Sequence, residues 1–191
     1  MAEILLFHHA HGLTGGCRSF ADRLRAAGHI VHVPDLYDGE TFTELDDGVA
    51  YAERVGFDTL LERGRLAAEG LPNGLVYAGF SLGAMPAQML AQTRPGGNGA
   101  LLFHSCVPTA EYGGPWPRGV PVQIHIMEGD AFALEGDLDA ARQLADTSED
   151  AELFLYPGDR HLFADESLPS YDERAATLLT QRVLGFLDRV G

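Results

Sequence analysis

A serine between two glycines is the first feature that could do chemistry. The segment reads Gly79-Phe80-Ser81-Leu82-Gly83 and matches the pattern G-x-S-x-G, in which the serine hydroxyl is a nucleophile. It follows an apolar run typical of a buried strand and precedes residues with helical spacing. Such a turn points Ser81 away from the sheet and puts the Leu82 backbone N–H at a helix N-terminus, where it can stabilise an oxyanion. We therefore predict attack by Ser81 on a carbonyl carbon; a serine that only caps the helix is the alternative.

A serine hydroxyl needs a base, and a neutral histidine held by a carboxylate is the common solution. The chain has eight histidines. Three of them, His29, His32 and His125, lie beside or within apolar runs, where packing roles fit better. His161 instead lies in a loop after the last apolar run and before the last helical stretch. A base in that loop can reach over the edge of a sheet, so we predict that His161 activates the serine.

The third member of such a triad is an acid after the fifth apolar run, where Glu128 and Asp130 are both available. We favour Asp130, because two turn residues let its carboxylate fold back towards His161, whereas Glu128 directly abuts the run. The order serine, acid, histidine along the chain is that of α/β-hydrolase triads. A second oxyanion donor is expected in the loop after the first run, from the backbone N–H of Ala10 or Leu13.

Six short apolar runs must position these residues, and longer stretches with helical spacing separate them. The runs cover residues 4–7, 30–33, 75–80, 100–104, 122–127 and 152–156. The predicted helices cover residues 19–27, 49–69, 82–93, 138–145 and 171–190, the second of them divided at Gly56 and Gly64. This alternation predicts one α/β domain over residues 1–191, with three layers, a mostly parallel sheet of about six strands and no cap domain. Ligands bind such sheets at the carboxyl ends of the strands.

Composition excludes several partners. The chain has 191 residues, with 13 basic and 28 acidic side chains and a formal charge of −15. Nucleic acids and anionic membranes attract clustered Lys and Arg, so neither is expected as a partner. Two cysteines, outside any metal-binding pair, fit a reducing compartment, and the N-terminal segment lacks the pattern of a signal peptide. We expect a cytoplasmic protein; its oligomeric state is not readable from these features.

The motifs together resemble the dienelactone hydrolase family of α/β-hydrolases. The resemblance runs along almost the whole chain, through Gly12, the segment Val33-Pro34-Asp35-Leu36-Tyr37, the Ser81 motif, Asp130 and residues 156–163. It implies a triad of Ser81, Asp130 and His161, with the N–H groups of Leu82 and Ala10 as oxyanion donors.

Three departures from that family concern the active site. Members of the archetype carry cysteine at the position of Ser81 and glutamate at the position of His9. The glutamate is associated with forming the cysteine thiolate, and a serine activated by His161 has no use for it. The archetype also has an arginine, for a substrate carboxylate, at the position of Asp165. We therefore expect an acid at that position to repel an anionic substrate.

These residues predict hydrolysis of small ester or lactone substrates through an acyl-enzyme, without a metal or organic cofactor. His9, His11 and Leu13 are the candidates for lining the substrate pocket. Two alternatives remain: a non-catalytic binding protein with the same fold, and a metal-dependent hydrolase that uses His8, His9 and His11. The histidine cluster lacks a nearby acid of the H-x-H-x-D kind, which weakens the metal alternative.

Overall fold

Six parallel strands form one open sheet in the computed structural model, which describes residues 1–191. The strand order is β2-β1-β3-β4-β5-β6. The strands are β1 (Glu3–Phe7), β2 (Ile30–His32), β3 (Leu75–Phe80), β4 (Gly99–Phe103), β5 (Val122–Met127) and β6 (Ala151–Tyr156). The helices are α1 (Gly15–Ala26), α2 (Leu45–Val55), α3 (Phe57–Ala67), α4 (Ala84–Thr93), α5 (Asp137–Thr147) and α6 (Glu173–Val190).

The sheet separates two apolar cores. All residues of β3, β4 and β5 are buried, because helices cover both faces of the sheet. One core packs side chains of α1 and α6, such as Phe20 and Phe186, against the sheet. The other packs side chains of α2 to α5, such as Leu60 and Leu90, against the opposite face. This three-layer α/β architecture confirms the predicted fold class, and no cap domain covers the sheet edge.

The predicted strands match the observed ones to within one residue at each end. The helical stretch 49–69 is divided at Gly56, whose φ of +91° ends one helix and starts the next. Gly64 does not divide it, because this residue lies buried against Pro86 within α3. The first helix begins at Gly15, four residues before the predicted start, since the Thr14 side chain caps it by accepting from the Cys17 N–H at 3.2 Å.

The topology brings four loops to one edge of the sheet. The chain moves from β1 outward to β2 and then returns to β3 on the other side of β1, so a switch point lies between β1 and β3. The loops after β1, β3, β5 and β6 all leave the carboxyl edge of this parallel sheet. Ala10, Ser81, Asp130 and His161 follow these strands. None of the six helices combines enough length with enough apolar character to cross a membrane.

Candidate active site

Ser81 lies on a sharp turn between β3 and a single 3₁₀ turn, Ser81–Gly83, that leads into α4. Its φ is +48°, a left-handed backbone conformation that residues other than glycine rarely adopt. The flanking glycines make this turn possible. A Cβ atom at position 79 would lie 1.9 Å from the Gly83 carbonyl oxygen, and one at position 83 would lie 2.5 Å from the Phe7 carbonyl oxygen. Neither position can therefore hold a side chain, which is the physical reason for the G-x-S-x-G spacing.

Three side chains from different loops form a continuous hydrogen-bonded chain. The Ser81 Oγ lies 2.8 Å from His161 Nε2, and His161 Nδ1 lies 2.6 Å from Asp130 Oδ2. A carboxylate oxygen can only accept, so Nδ1 carries the proton and donates it to Asp130. Nε2 of the neutral imidazole is then the acceptor for the Ser81 hydroxyl. The ring is thus in the tautomer that can take a proton from the serine.

Asp130, and not Glu128, lies against the imidazole. Asp130 is fully buried, and its second oxygen accepts a hydrogen bond from the Phe132 N–H at 3.0 Å, which holds the carboxylate in place. Glu128 is exposed to solvent. The Phe132 ring lies over the imidazole of His161, with ring centroids 4.7 Å apart. One side of the base is therefore shielded by an aromatic ring.

The backbone N–H of Ala10 makes no hydrogen bond within the chain, and Ala10 lines the same small pocket as Ser81 and Leu82. Leu82 lies in the 3₁₀ turn directly after the serine, where N–H groups have no partner within the helix. Leu13 lines a different pocket. Of the two candidates for a second donor, Ala10 is therefore the one beside Ser81.

A fully buried histidine that the sequence did not single out lies beneath this site. His104 follows β4, and neither of its ring nitrogens has a hydrogen-bond partner. Its ring centroid lies 5.9 Å from that of His161 and 4.7 Å from that of Phe163. Burial holds the pKa of His104 well below its ordinary value, so the imidazole is neutral. In the sequence, the one indication of a role for His104 was that it is a polar residue at the carboxyl end of a predicted strand.

Backbone strain is concentrated around the site. Four residues other than glycine have a positive φ: Asp38, Ser81, His104 and Leu162. Three of these are Ser81 itself, His104 beneath His161, and Leu162, the residue after His161. Such conformations cost of order 1–3 kcal/mol each and persist where surrounding structure imposes them.

The three histidines after β1 have separate partners. His8 donates from Nδ1 to the His9 carbonyl oxygen and accepts the Leu36 N–H at Nε2. His11 donates from Nδ1 to the Phe42 carbonyl oxygen. His9 accepts the His11 N–H at Nδ1, so its Nε2 donates to Asp165 at 2.7 Å. These nitrogens are directed at different groups and do not converge on a common metal position.

His9 and Asp165, two of the three positions at which the chain departs from the archetype, thus contact each other. Asp165 also accepts hydrogen bonds from the hydroxyl of Thr14 and from the N–H and hydroxyl of Ser167. Burial alone would raise the pKa of this carboxyl, but the hydrogen bonds outweigh it and hold the pKa well below its ordinary value. With 2% of its surface exposed, Asp165 cannot meet a substrate. Its charge is stabilised inside the protein, so Asp165 makes no direct contact with a substrate, and the repulsion of an anion stays a prediction.

Cys17 completes a buried cluster with these two residues, in which the ligand atoms lie within 4.8 Å of one another. Burial raises the pKa of the Cys17 thiol to about 12, so the thiolate that a metal prefers is disfavoured. The carboxylate oxygens of Asp165 already accept several hydrogen bonds. The cluster is therefore explained by hydrogen bonding within the protein.

Two pockets meet at His161 and Leu45, which line both. The smaller, of about 250 Å³, holds Ser81 and is mostly apolar, with walls from α2, α3, α4 and the loop after β5. The larger, of about 680 Å³, has polar side chains at about half of its lining residues. Of the predicted lining residues, His11 and Leu13 line the larger pocket, whereas His9 is fully buried behind it. Sequence patterns missed the apolar residues of the smaller pocket, among them Phe132 and Met85, because nothing in their spacing marks them.

The sequence profile described as the dienelactone hydrolase family matches residues 2–191. No similar sequence was found among curated proteins.

Solved structures have the same fold at low sequence identity. The putative dienelactone hydrolase of Klebsiella pneumoniae is 20% identical with a TM-score of 0.74, over 99% of this chain and 87% of that one. The dienelactone hydrolase of Anabaena variabilis is also 20% identical with a TM-score of 0.74, over 100% and 87%. A cold-adapted esterase from an Arctic intertidal metagenomic library is 17% identical with a TM-score of 0.68, over 99% and 83%. Because the family profile covers nearly every residue, the chain belongs to the dienelactone hydrolase family of α/β-hydrolases.

Proposed function

We propose that the protein hydrolyses small carboxylic esters or lactones, with Ser81 as nucleophile, His161 as base and Asp130 as the acid that orients the base. The observation that carries this proposal is the unbroken hydrogen-bonded chain from Asp130 through His161 to Ser81. The hydroxyl at its end lies beside the unpaired N–H of Ala10. Membership of a family of α/β-type hydrolases supports the same chemistry.

Acylation is the first half of the reaction. Ser81 Oγ forms a bond to the carbonyl carbon of the substrate while its proton passes to Nε2 of His161. The carbonyl oxygen becomes an oxyanion, and the N–H groups of Ala10 and Leu82 stabilise it. Asp130 stabilises the positive charge on the imidazolium. The tetrahedral intermediate then breaks its bond to the alcohol oxygen, which takes the proton from Nε2.

Deacylation repeats these steps with water. His161 removes a proton from a water molecule, whose oxygen attacks the acyl-enzyme carbonyl carbon. The second tetrahedral intermediate then breaks its bond to Ser81 Oγ, which takes the proton from Nε2 of His161, and the acid is released. The steps involve only the chain, its substrate and water.

The neutral imidazole is essential to both halves, because a protonated histidine cannot accept a proton from Ser81 or from water. We therefore expect the rate to fall in acid. A rate that stays flat from about pH 8 to about pH 5 would contradict the role of His161 as base.

A fluorophosphonate probe, which phosphonylates activated serines, tests the nucleophile directly. We expect the wild-type protein to be labelled, and Ser81→Ala and His161→Ala to resist labelling. Ser105→Ala is the matched control, because Ser105 lines the same pocket but is hydrogen-bonded to no histidine. It should be labelled like the wild-type protein.

Ester hydrolysis should follow the same pattern, with a loss of at least about a thousandfold in kcat for Ser81→Ala. Labelling that survives in Ser81→Ala would contradict the proposal. A wild-type protein that is neither labelled nor active on esters would favour the non-catalytic binding protein instead. Activity lost on treatment with a chelator would favour the metal-dependent alternative.

A further inference from the structure

The two pockets that meet at His161 differ in chemistry. The smaller contains the reacting hydroxyl and is walled mostly by apolar side chains, such as Val49, Met85 and Phe132, with Ser105 and Asp137 as further polar residues. The larger contains His161 but neither Ser81 nor the oxyanion donors Leu82 and Ala10. A substrate that spans both would place two unlike halves on either side of the imidazole.

The direction of proton transfer indicates which half of an ester occupies which pocket. The carbonyl carbon must bond to Ser81, so the acyl chain extends from there into the apolar pocket. The alcohol oxygen must receive its proton from Nε2 of His161, so it lies beside that nitrogen, and the alcohol extends from there into the second pocket that His161 lines. The larger pocket is therefore the compartment for the alcohol. A water molecule occupies about 30 Å³ in the liquid, so the 250 Å³ of the apolar pocket corresponds to about eight water molecules, which suits a short acyl chain.

The larger pocket is rich in hydroxyl groups. They belong to Thr14, Thr41, Thr43, Ser167 and Ser170. Thr14 and Ser167 already bind Asp165, whereas the hydroxyls of Thr41, Thr43 and Ser170 make no hydrogen bond within the chain. A hydroxyl both donates and accepts, which matches another hydroxyl better than it matches an ion.

Charge in this pocket argues against an anionic alcohol. No Lys or Arg lines either pocket, and the larger contains the carboxylate of Glu44, which forms no ion pair. A quaternary ammonium group would be recognised by a cage of aromatic rings, but Phe42 is the only aromatic ring besides the imidazoles. An uncharged alcohol with several hydroxyls is the remaining match.

We propose that the larger pocket binds the alcohol half of the substrate, and that this half is a neutral polyol, so that the enzyme takes short-chain acyl esters of glycerol-like or sugar-like alcohols. This inference rests on the ester hydrolysis proposed above. It adds the class of leaving group, which the triad alone leaves open.

Four butyrate esters test the class of alcohol. Glycerol monobutyrate and propyl butyrate have the same three-carbon alcohol chain and differ by two hydroxyl groups. Butyrylcholine adds a cation, and the butyrate ester of 3-hydroxypropanoate adds an anion. Each kcat/KM is divided by the rate of alkaline hydrolysis of that ester, which removes differences in intrinsic reactivity. We expect the glycerol ester to exceed the propyl ester by about tenfold, and the anionic ester to be the poorest.

Two variants locate the preference in the larger pocket. Thr43→Val keeps the shape of the side chain and removes its hydroxyl, and Ser170→Ala removes the hydroxyl of Ser170. Each should reduce the ratio of glycerol ester to propyl ester by about threefold or more. The matched control is Thr177→Val, on the exposed side of α6 and outside both pockets, which should leave the ratio unchanged.

The outcomes separate this inference from the proposed function. Equal corrected rates for the glycerol and propyl esters, or a preference for the cationic or anionic ester, would overturn the polyol proposal while ester hydrolysis stands. Labelling of Ser81 by the fluorophosphonate without turnover of any of the four esters would likewise overturn the polyol proposal alone. Failure of both labelling and turnover would overturn the two proposals together.

Discussion

Acid should destabilise this protein well before its carboxylates titrate, because buried histidines must remain neutral in the folded state. His8 and His125 are fully buried. Burial lowers the pKa of His8 from 6.5 to about 4 and that of His125 to about 3. The hydrogen bond of His8 also needs an uncharged ring, because its Nε2 accepts the Leu36 N–H.

The sign and size of the effect follow from proton binding. Below pH 6.5 the unfolded chain binds protons at these two histidines and the folded protein does not, so acid favours unfolding. Each pH unit below that value lowers the free energy of unfolding by about 1.4 kcal/mol per histidine. At pH 5 the loss is about 2 kcal/mol for each, or about 4 kcal/mol for both, against a typical stability of 5–15 kcal/mol. His9 and His104 have pKa values lowered in the same direction and add to the loss.

Urea unfolding at pH 7, 6 and 5 measures this loss of stability, with the fluorescence of the single tryptophan, Trp116, as the signal. The free energy of unfolding should fall by at least about 4 kcal/mol between pH 7 and pH 5. His125→Gln removes one titrating ring, so its stability should depend less on pH, by about 2 kcal/mol over the same range. Equal stability of the wild-type protein at pH 7 and pH 5 would refute the reasoning.

Three further predictions concern the site and its surroundings. Asp130→Asn should reduce kcat by about ten-thousandfold, since an amide can stabilise the wrong tautomer of the imidazole; a loss below tenfold in a steady-state ester assay would argue against the triad. His9→Phe should lower the free energy of unfolding in urea by about 2–3 kcal/mol, because the buried charge of Asp165 loses a hydrogen bond. His104→Phe should leave the free energy of unfolding unchanged or raised, because the His104 ring has no hydrogen-bond partner to lose. A larger loss of stability in His104→Phe than in His9→Phe would contradict both statements. Ser81→Gly should abolish activity and raise the melting temperature. Glycine adopts the positive φ of residue 81 without strain, so the free energy of unfolding should increase by about 1 kcal/mol.

Local patterns predicted the sheet well. Buried parallel strands are short apolar runs of defined length, and the runs at 75–80 and 122–127 coincide with β3 and β5. Helix boundaries were less predictable, because they depend on capping. Thr14 starts α1 four residues before its apolar face begins, and only one of two glycines within residues 49–69 separates helices, since the other packs against Pro86.

The serine turn was predictable because its constraint is local. Gly79 and Gly83 are needed by backbone atoms only a few residues away or on the adjacent strand, so the pattern of five residues carries the geometry. The choice between Asp130 and Glu128 was not local in the same way. It depends on which carboxylate the loop after β5 turns inward, towards a histidine 31 residues later.

The sequence by itself therefore determined the sheet and the turn that presents Ser81, because each follows from hydrophobic periodicity or from contacts between near neighbours. The family was indicated by the resemblance of its motifs. Tertiary structure alone decided which distant side chains meet. His9 and Asp165 are 156 residues apart and satisfy each other in the core, so neither lines the pocket that the sequence predicted for His9. The pocket walls are likewise assembled from separate loops and helices. Their chemistry depends on how those elements pack across the sheet edge, and no spacing within a single segment records it.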